Sequence, residues 1–264
     1  SNIATGELVE MLNAAKTATR PTYNDTESVT YVISLVNTSD TAYTGLTITD
    51  NLGAYNFGAR VLIPLDYISG SAKYYVNGTL QGTVTVTEGP PLVFSGISVP
   101  AGGNAVIVYE ARPNSYAPLG VESNIRNEAV ISGNGVAADI TVSENVAPAT
   151  GARLRILKEI TPSMITEGSP VTYTFTIQNL GNVPITTTDS AVIRDTFEPI
   201  LNITAVSFNG TTWTSPTNYT YDTTTGLFTT VDNQITVPAA TYVQDPTTGA
   251  YSITPGVSTL TVTG

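Results

Sequence analysis

Apolar and polar residues alternate along much of this chain. In Val171-Thr-Tyr-Thr-Phe-Thr-Ile177 the residues Val171, Tyr173, Phe175 and Ile177 share one face, and threonines fill the other. Thr83 to Thr87 and Thr259 to Thr263 repeat the pattern. A period of two with one polar face predicts antiparallel strands packed on one side and wet on the other. Val, Ile, Tyr and Thr dominate these segments, which is strand composition. Clusters of Gly, Pro, Asn and Asp punctuate them at short intervals. Only Gly6 to Ala15 carries helical spacing, with Leu8, Val9 and Leu12 on one side; the same stretch also reads as a leading strand.

The pattern occurs twice. Lys16 precedes Tyr31 of Val29-Thr-Tyr31 by the same offset that separates Lys158 from Tyr173 of Val171-Thr-Tyr173. Asn37 and Asn179 follow at equal offsets. Each copy then has a strand ending in aspartate, Leu46 to Asp50 and Ala191 to Asp195, and later Ile97-Ser-Val-Pro100 matches Ile235-Thr-Val-Pro238. Such a repeat predicts two domains, residues 1–150 and 151–264, joined at Ala147-Pro-Ala-Thr-Gly-Ala152. The segment Asn124 to Ile131 of the first copy finds its counterpart only beyond Gly264. The second copy is therefore expected to lack its last strand or strands and to come from a longer array, or to be completed by another chain. The expected fold class is all-β: two tandem immunoglobulin-like β-sandwich domains.

Composition narrows the chemistry. The 264 residues contain neither cysteine nor histidine. Disulfides, thiol nucleophiles, imidazole-based triads and zinc centres of the usual kind are excluded. A formal net charge of −11 argues against nucleic acid and against docking on an anionic membrane. No apolar run approaches the ~18 residues of a membrane-spanning helix. No cofactor is implied. A sandwich without cysteine must be stapled by other means.

Strand parity points to those means. Leu12, Ala14, Lys16 and Ala18 share a face; so do Leu46, Ile48 and Asp50, and so do Ile125, Asn127, Ala129 and Ile131. Lys16, Asp50 and Asn127 are each predicted to enter the first core. Burying an unpaired charge costs several kcal/mol, so three such residues should meet. One reading is a buried ion pair hydrogen-bonded to Asn127, or a lysine that snorkels outward. The other is covalent. A desolvated lysine becomes a free amine and a desolvated aspartate a proton donor. The amine attacks the Asn127 carboxamide, ammonia leaves, and an isopeptide bond joins two distant strands. Asn124 is a weaker acceptor, because parity turns it outward.

The lysine, the Val-Thr-Tyr strand, the turn Asn179-Leu-Gly-Asn182, Arg194-Asp-Thr-Phe197 and Asn127-Glu-Ala-Val130 resemble the repeat called domain of unknown function eleven, found in large bacterial cell-surface proteins. The order Lys, Asp, Asn is similar to that of collagen-adhesin-type isopeptide-forming immunoglobulin-like domains. The resemblance implies Lys16 and Asn127 as the bonded pair and Asp50 as the catalytic acid. Lys158 and Asp195 match it in the second copy, where the matching asparagine is expected only beyond Gly264, so that the two stand unpaired with an acceptor in residues 151–264. It further implies a stalk or fibre segment on a bacterial surface or cell wall. Its partners would be neighbouring repeats of the same protein. The alternative is an adhesin module for a host protein or glycan. Neither is an enzyme beyond a single intramolecular turnover. Two other groups invite a binding reading: Trp213, Tyr219 and Tyr221 as an aromatic platform, against ordinary sheet aromatics, and the loops at Asp222 and Asp245 as calcium sites, against solvated acidic turns.

Overall fold

The computed structural model describes residues 11–82 and 84–264. It is built almost wholly from strands; the one helical element among the described residues is a 3-10 turn at Thr187–Asp189. The chain divides into two compact units, Ser1–Ala149 with Gln244–Tyr251, and Thr150–Val243 with Ser252–Gly264.

The first unit is a sandwich of two six-stranded sheets. One sheet runs Leu12–Ala18, Val29–Asn37, Asn104–Pro113, Lys73–Val76, Thr79–Leu80, with Leu65–Tyr67 also paired to Asn104–Pro113. The other runs Thr85–Thr87, Leu92–Val99, Tyr43–Asp50, Ile125–Ser132, Ile140–Pro148, Thr22–Tyr23. Alternate residues of both sheets face inward and form one core that includes Leu12, Tyr31, Ile33, Ile48, Phe94, Tyr109 and Ile131. The ten-residue segment that reads as a helix at Gly6 to Ala15 is a strand where it is described: Leu12 to Ala15 pair with Asn37 to Ser34. Alternation of Leu12, Ala14 and Lys16 against a neighbouring strand outweighs the helical spacing of Leu8, Val9 and Leu12. Gly6 to Glu10 lie outside the described residues, as does Thr83, whereas Thr85–Thr87 is a strand.

The second unit repeats the first sheet. Leu154–Thr161 pairs with Thr172–Asn179, which pairs with Gly256–Thr263, followed by Ala205–Phe208 and Thr211–Trp213. The register is shared with the first unit: Lys16 stands opposite Ile33 and Lys158 opposite Phe175. The facing sheet has three strands, Arg194–Thr196, Leu227–Thr230 and Tyr219–Tyr221, and Arg194–Thr196 lies at its edge. In the first unit the corresponding Tyr43–Asp50 strand is flanked on both sides, by Leu92–Val99 and by Ile125–Ser132.

The asparagines at equal offsets have a structural role. Asn37 is buried, and its Nδ2 donates to the carbonyls of Thr41 and Pro100 while its Oδ1 accepts from Ser39 N. Asn179 is buried likewise, with Nδ2 donating to Val183 O and Oδ1 accepting from Gly181 N. Each side chain satisfies the backbone of the turn that leaves its strand.

Candidate functional site

Three strands from two facing sheets bring the polar residues inward. Lys16 comes from Leu12–Ala18, Asp50 from the end of Tyr43–Asp50, and Asn127 from Ile125–Ser132. All three are buried, with residue exposures of 4%, 0% and 0%. The outward neighbours differ: Arg126 is exposed and Glu128 only half-buried. Asn124 is exposed and belongs to no part of this cluster.

A tight turn locks the carboxylate. Leu52 and Gly53 both adopt positive φ, 53° and 75°, and Leu52 N donates to Asp50 Oδ1 at 2.9 Å. A side chain at position 53 would collide with Ile125 Cγ2, 2.4 Å from an ideal Cβ, so glycine is required there. The next residue, Asn51, holds the asparagine strand in place. Its backbone N–H donates to Glu128 O, and its Oδ1 accepts from Glu128 N, each at 2.9 Å. One residue on either side of that exchange stand Asp50 and Asn127.

Lys16 Nζ donates to Asp50 Oδ2 at 2.6 Å, with both side chains fully enclosed. Tyr109 OH donates to the same Oδ2 at 2.5 Å and accepts from Asn127 Nδ2 at 3.0 Å. Asn127 therefore joins the ion pair through a tyrosine. Parity in Ala105, Ile107, Tyr109 and Ala111 already turns Tyr109 inward, but an inward aromatic residue reads as core. Only the structure gives its hydroxyl a polar role. Tyr31 stacks on Tyr109 with centroids 5.5 Å apart, and Lys16 Nζ lies 5.2 Å from the Tyr31 ring centre.

Burial dominates the electrostatics. Desolvation lowers the Lys16 pKa below the ordinary lysine value, against the opposing pull of Asp50. Burial, then the Asp50 charge, raises Tyr109 well above the usual phenol value. Tyr31 is raised by burial and by Asp50; the Asn127 carboxamide opposes this from nearby, short of hydrogen-bond geometry. Asn127 Oδ1 and Tyr31 OH find no hydrogen-bond partner among the described residues. An unpaired buried carbonyl costs roughly 1–3 kcal/mol. Chemically, the cluster holds an amine with lowered basicity, a carboxylate touching it, and an amide whose nitrogen is hydrogen-bonded and whose oxygen is free.

The second unit keeps only half of this. Lys158 Nζ lies 2.5 Å from Asp195 Oδ2, but the side chains are 40% and 20% exposed. Tyr173, Phe197 and Phe175 surround the ammonium at 4.8, 5.3 and 5.6 Å from their ring centres. Parity turns Lys158 into the core with Leu154 and Ile156; here the structure corrects it. Leu154 and Ile156 are 48% and 51% exposed, whereas Leu12, the counterpart of Leu154, is 2% exposed. Ile140–Pro148 packs close to Leu12–Ala18 in the first unit, and no counterpart of that strand exists among the described residues of the second.

Trp213, Tyr219 and Tyr221 are ordinary sheet aromatics, the reading set against a binding platform. Trp213 is buried and stacks on Phe208, centroids 4.9 Å apart. Tyr219 stacks on Phe228, and Tyr221 OH donates to Leu201 O. Replacing Trp213 would break a core rather than a binding face. Asp222 Oδ1 accepts from the N–H groups of Thr224 and Thr225, and Asp245 Oδ1 from those of Thr247 and Thr248. These are Asx turns, and the bonds lower both carboxyl pKa values.

No protein-family model matches the chain, and no curated protein does. Several solved structures are similar to it. A variant of the major pilin subunit of Bacillus cereus is 14% identical, with a TM-score of 0.42, covering 64% of this chain and 58% of that one. The chain thus spans little more than half the length of that relative. A 35 kDa C-terminal fragment of the major pilin of Streptococcus agalactiae is 13% identical, TM-score 0.38, covering 93% and 91%. The collagen-binding subdomain of the Enterococcus faecalis surface protein ACE is 9% identical, TM-score 0.34, covering 54% and 99%. Likeness at this level carries no inference about what the chain does.

Proposed function

We propose that the first unit is a self-stapling structural module. Lys16 Nζ displaces ammonia from the Asn127 carboxamide, and the resulting isopeptide bond ties the first described strand of one sheet to a strand of the other. Asp50 takes a proton from the lysine and returns acid to the reaction. The observation that carries this reading is the sealed cluster itself: a fully enclosed Lys16–Asp50 pair linked through Tyr109 to the amide nitrogen of Asn127. An ion pair of this kind is expensive to bury for stability alone, since well-packed apolar residues do as well or better. Held in place by the fold, amine and amide gain the proximity advantage of an intramolecular reaction.

The role that follows is mechanical. A covalent bond closing a loop of about a hundred residues stabilises a domain by roughly 4–5 kcal/mol on the chain-entropy account. In a chain with no cysteine, such a bond serves a stalk or fibre segment on a bacterial surface, exposed to proteases and pulling. The acidic charge keeps such a segment soluble. The adhesin alternative loses its aromatic platform, because Trp213 is packed inside.

Peptide mapping tests the linkage. Digestion of the denatured chain should release a branched peptide pair containing Lys16 and Asn127. Recovery of both residues only in separate linear peptides would refute it.

A further inference from the structure

We propose that Tyr109 is the proton carrier of the linkage reaction, passing acid from Asp50 to the departing nitrogen of Asn127. This rests on the reading of Lys16 and Asn127 as the bonded pair. Asp50 Oδ2 is the acceptor for both Lys16 Nζ, at 2.6 Å, and Tyr109 OH, at 2.5 Å. The opposite side of the Tyr109 oxygen touches Asn127 Nδ2 at 3.0 Å. One hydroxyl thus stands between the acid and the atom that must leave as ammonia. Among the described residues no hydrogen bond joins Asp50 directly to the Asn127 side chain.

The protons and electrons balance along this line. The Lys16 ammonium gives one proton to Asp50 Oδ2, leaving a neutral amine and a carboxylic acid. The amine lone pair forms the new bond to Asn127 Cγ, and the carbonyl π pair moves to Oδ1. When the C–O double bond re-forms, the C–Nδ2 pair departs with the nitrogen. That nitrogen takes the Tyr109 proton as the Tyr109 oxygen takes the proton held by Asp50. The second proton shed by the Lys16 nitrogen returns to Asp50. Ammonia leaves, Asp50 ends protonated, and Tyr109 ends as it began.

The two units of the chain bear on the assignment independently. Tyr109 stands opposite Tyr31 in the first unit; the residue opposite Tyr173, its counterpart in the second, is Val262. Tyr31 is the natural control. It is equally buried and stacks on Tyr109, yet its hydroxyl has no hydrogen-bond partner among the described residues.

The test compares the full chain with its Tyr109→Phe and Tyr31→Phe variants by intact mass over time after expression. Phenylalanine keeps the ring that stacks on Tyr31 and packs tilted against Phe94. The wild type and Tyr31→Phe should be fully linked at purification, about 17 Da below the sequence mass. Tyr109→Phe should link more slowly by about a hundredfold, in the range of general acid catalysis. Its residual rate should rise as pH falls, because the leaving nitrogen must then draw its proton from solvent. Linkage of Tyr109→Phe as complete and prompt as Tyr31→Phe overturns the assignment. A slow rate indifferent to pH also overturns it, since that marks disturbed packing only. An unmodified wild type instead removes the linkage reading beneath it.

Discussion

The two units hold the same ion pair in different surroundings. Lys16–Asp50 and Lys158–Asp195 measure 2.6 and 2.5 Å, yet the first pair is sealed and the second is 40% and 20% exposed. The strands that carry the two lysines match in register. The difference lies in what covers them: Ile125–Ser132 flanks the Asp50 strand, and Ile140–Pro148 lies close to the Lys16 strand. On the reading proposed for Lys16 and Asn127, a close lysine and aspartate do not by themselves make a reactive centre; exclusion of water is also required, because it lowers the basicity of the lysine and strengthens every contact of the carboxylate. The same covering strand also delivers the amide.

Four outcomes bear on this contrast. The largest is expected for Lys16→Ala, which abolishes the linkage and leaves Asp50 buried without its cation. The first unit should lose on the order of 5 kcal/mol or more. The single tryptophan, Trp213, lies in the second unit. Tryptophan fluorescence should therefore report an unchanged denaturant midpoint, while limited proteolysis or tyrosine signals reveal the weakened first unit. Asn127→Ala removes the bond but keeps the ion pair, and should cost about 4–5 kcal/mol in the same assay. An unchanged midpoint of the first unit for Asn127→Ala would leave the asparagine without a mechanical role.

The third outcome concerns alkaline pH. Burial raises Tyr109 well above its ordinary value of 10.0. The folded state keeps the phenol proton where the unfolded chain loses it. That contribution is fully present below pH 10 and is lost as pH rises through the folded value. Stability should fall above pH 10 by up to roughly 1.4 kcal/mol per pH unit for this group. Tyr109→Phe should flatten the slope in alkaline denaturant titrations; an unaltered slope would mean the phenol is not held neutral. The smallest effect belongs to Lys158→Met. A partly exposed pair contributes at most about 1 kcal/mol, so the second unit's thermal midpoint and the intact-mass deficit should both stay where they were. A large loss would show that exposure misjudges this pair.

Much of this was legible in the residues. Period-two parity turns Lys16, Asp50 and Asn127 to one interior because each sits in a strand whose other inward members are apolar. The repeat aligned the two lysines and the two aspartates without a structure. Three features were not legible. Tyr109 reads as core, since parity reports which way a ring points and not whom its hydroxyl meets. The exposure of Leu154 and Ile156 depends on covering strands from a remote part of the sequence, which a local pattern cannot register. The strand at Leu12 to Ala15 competes with a helical spacing that only pairing with Val29–Asn37 decides. For Trp213 the sequence offers a platform and an ordinary sheet aromatic, and its burial against Phe208 agrees with the second.

The most direct measurement is the intact mass of the denatured 264-residue chain. Linkage of Lys16 to Asn127 with loss of one ammonia predicts a single species about 17 Da below the sequence mass, and the same chain carrying Asn127→Ala at its own unmodified mass. The wild-type chain at its full sequence mass would contradict the account and leave Lys16 and Asp50 as a buried ion pair.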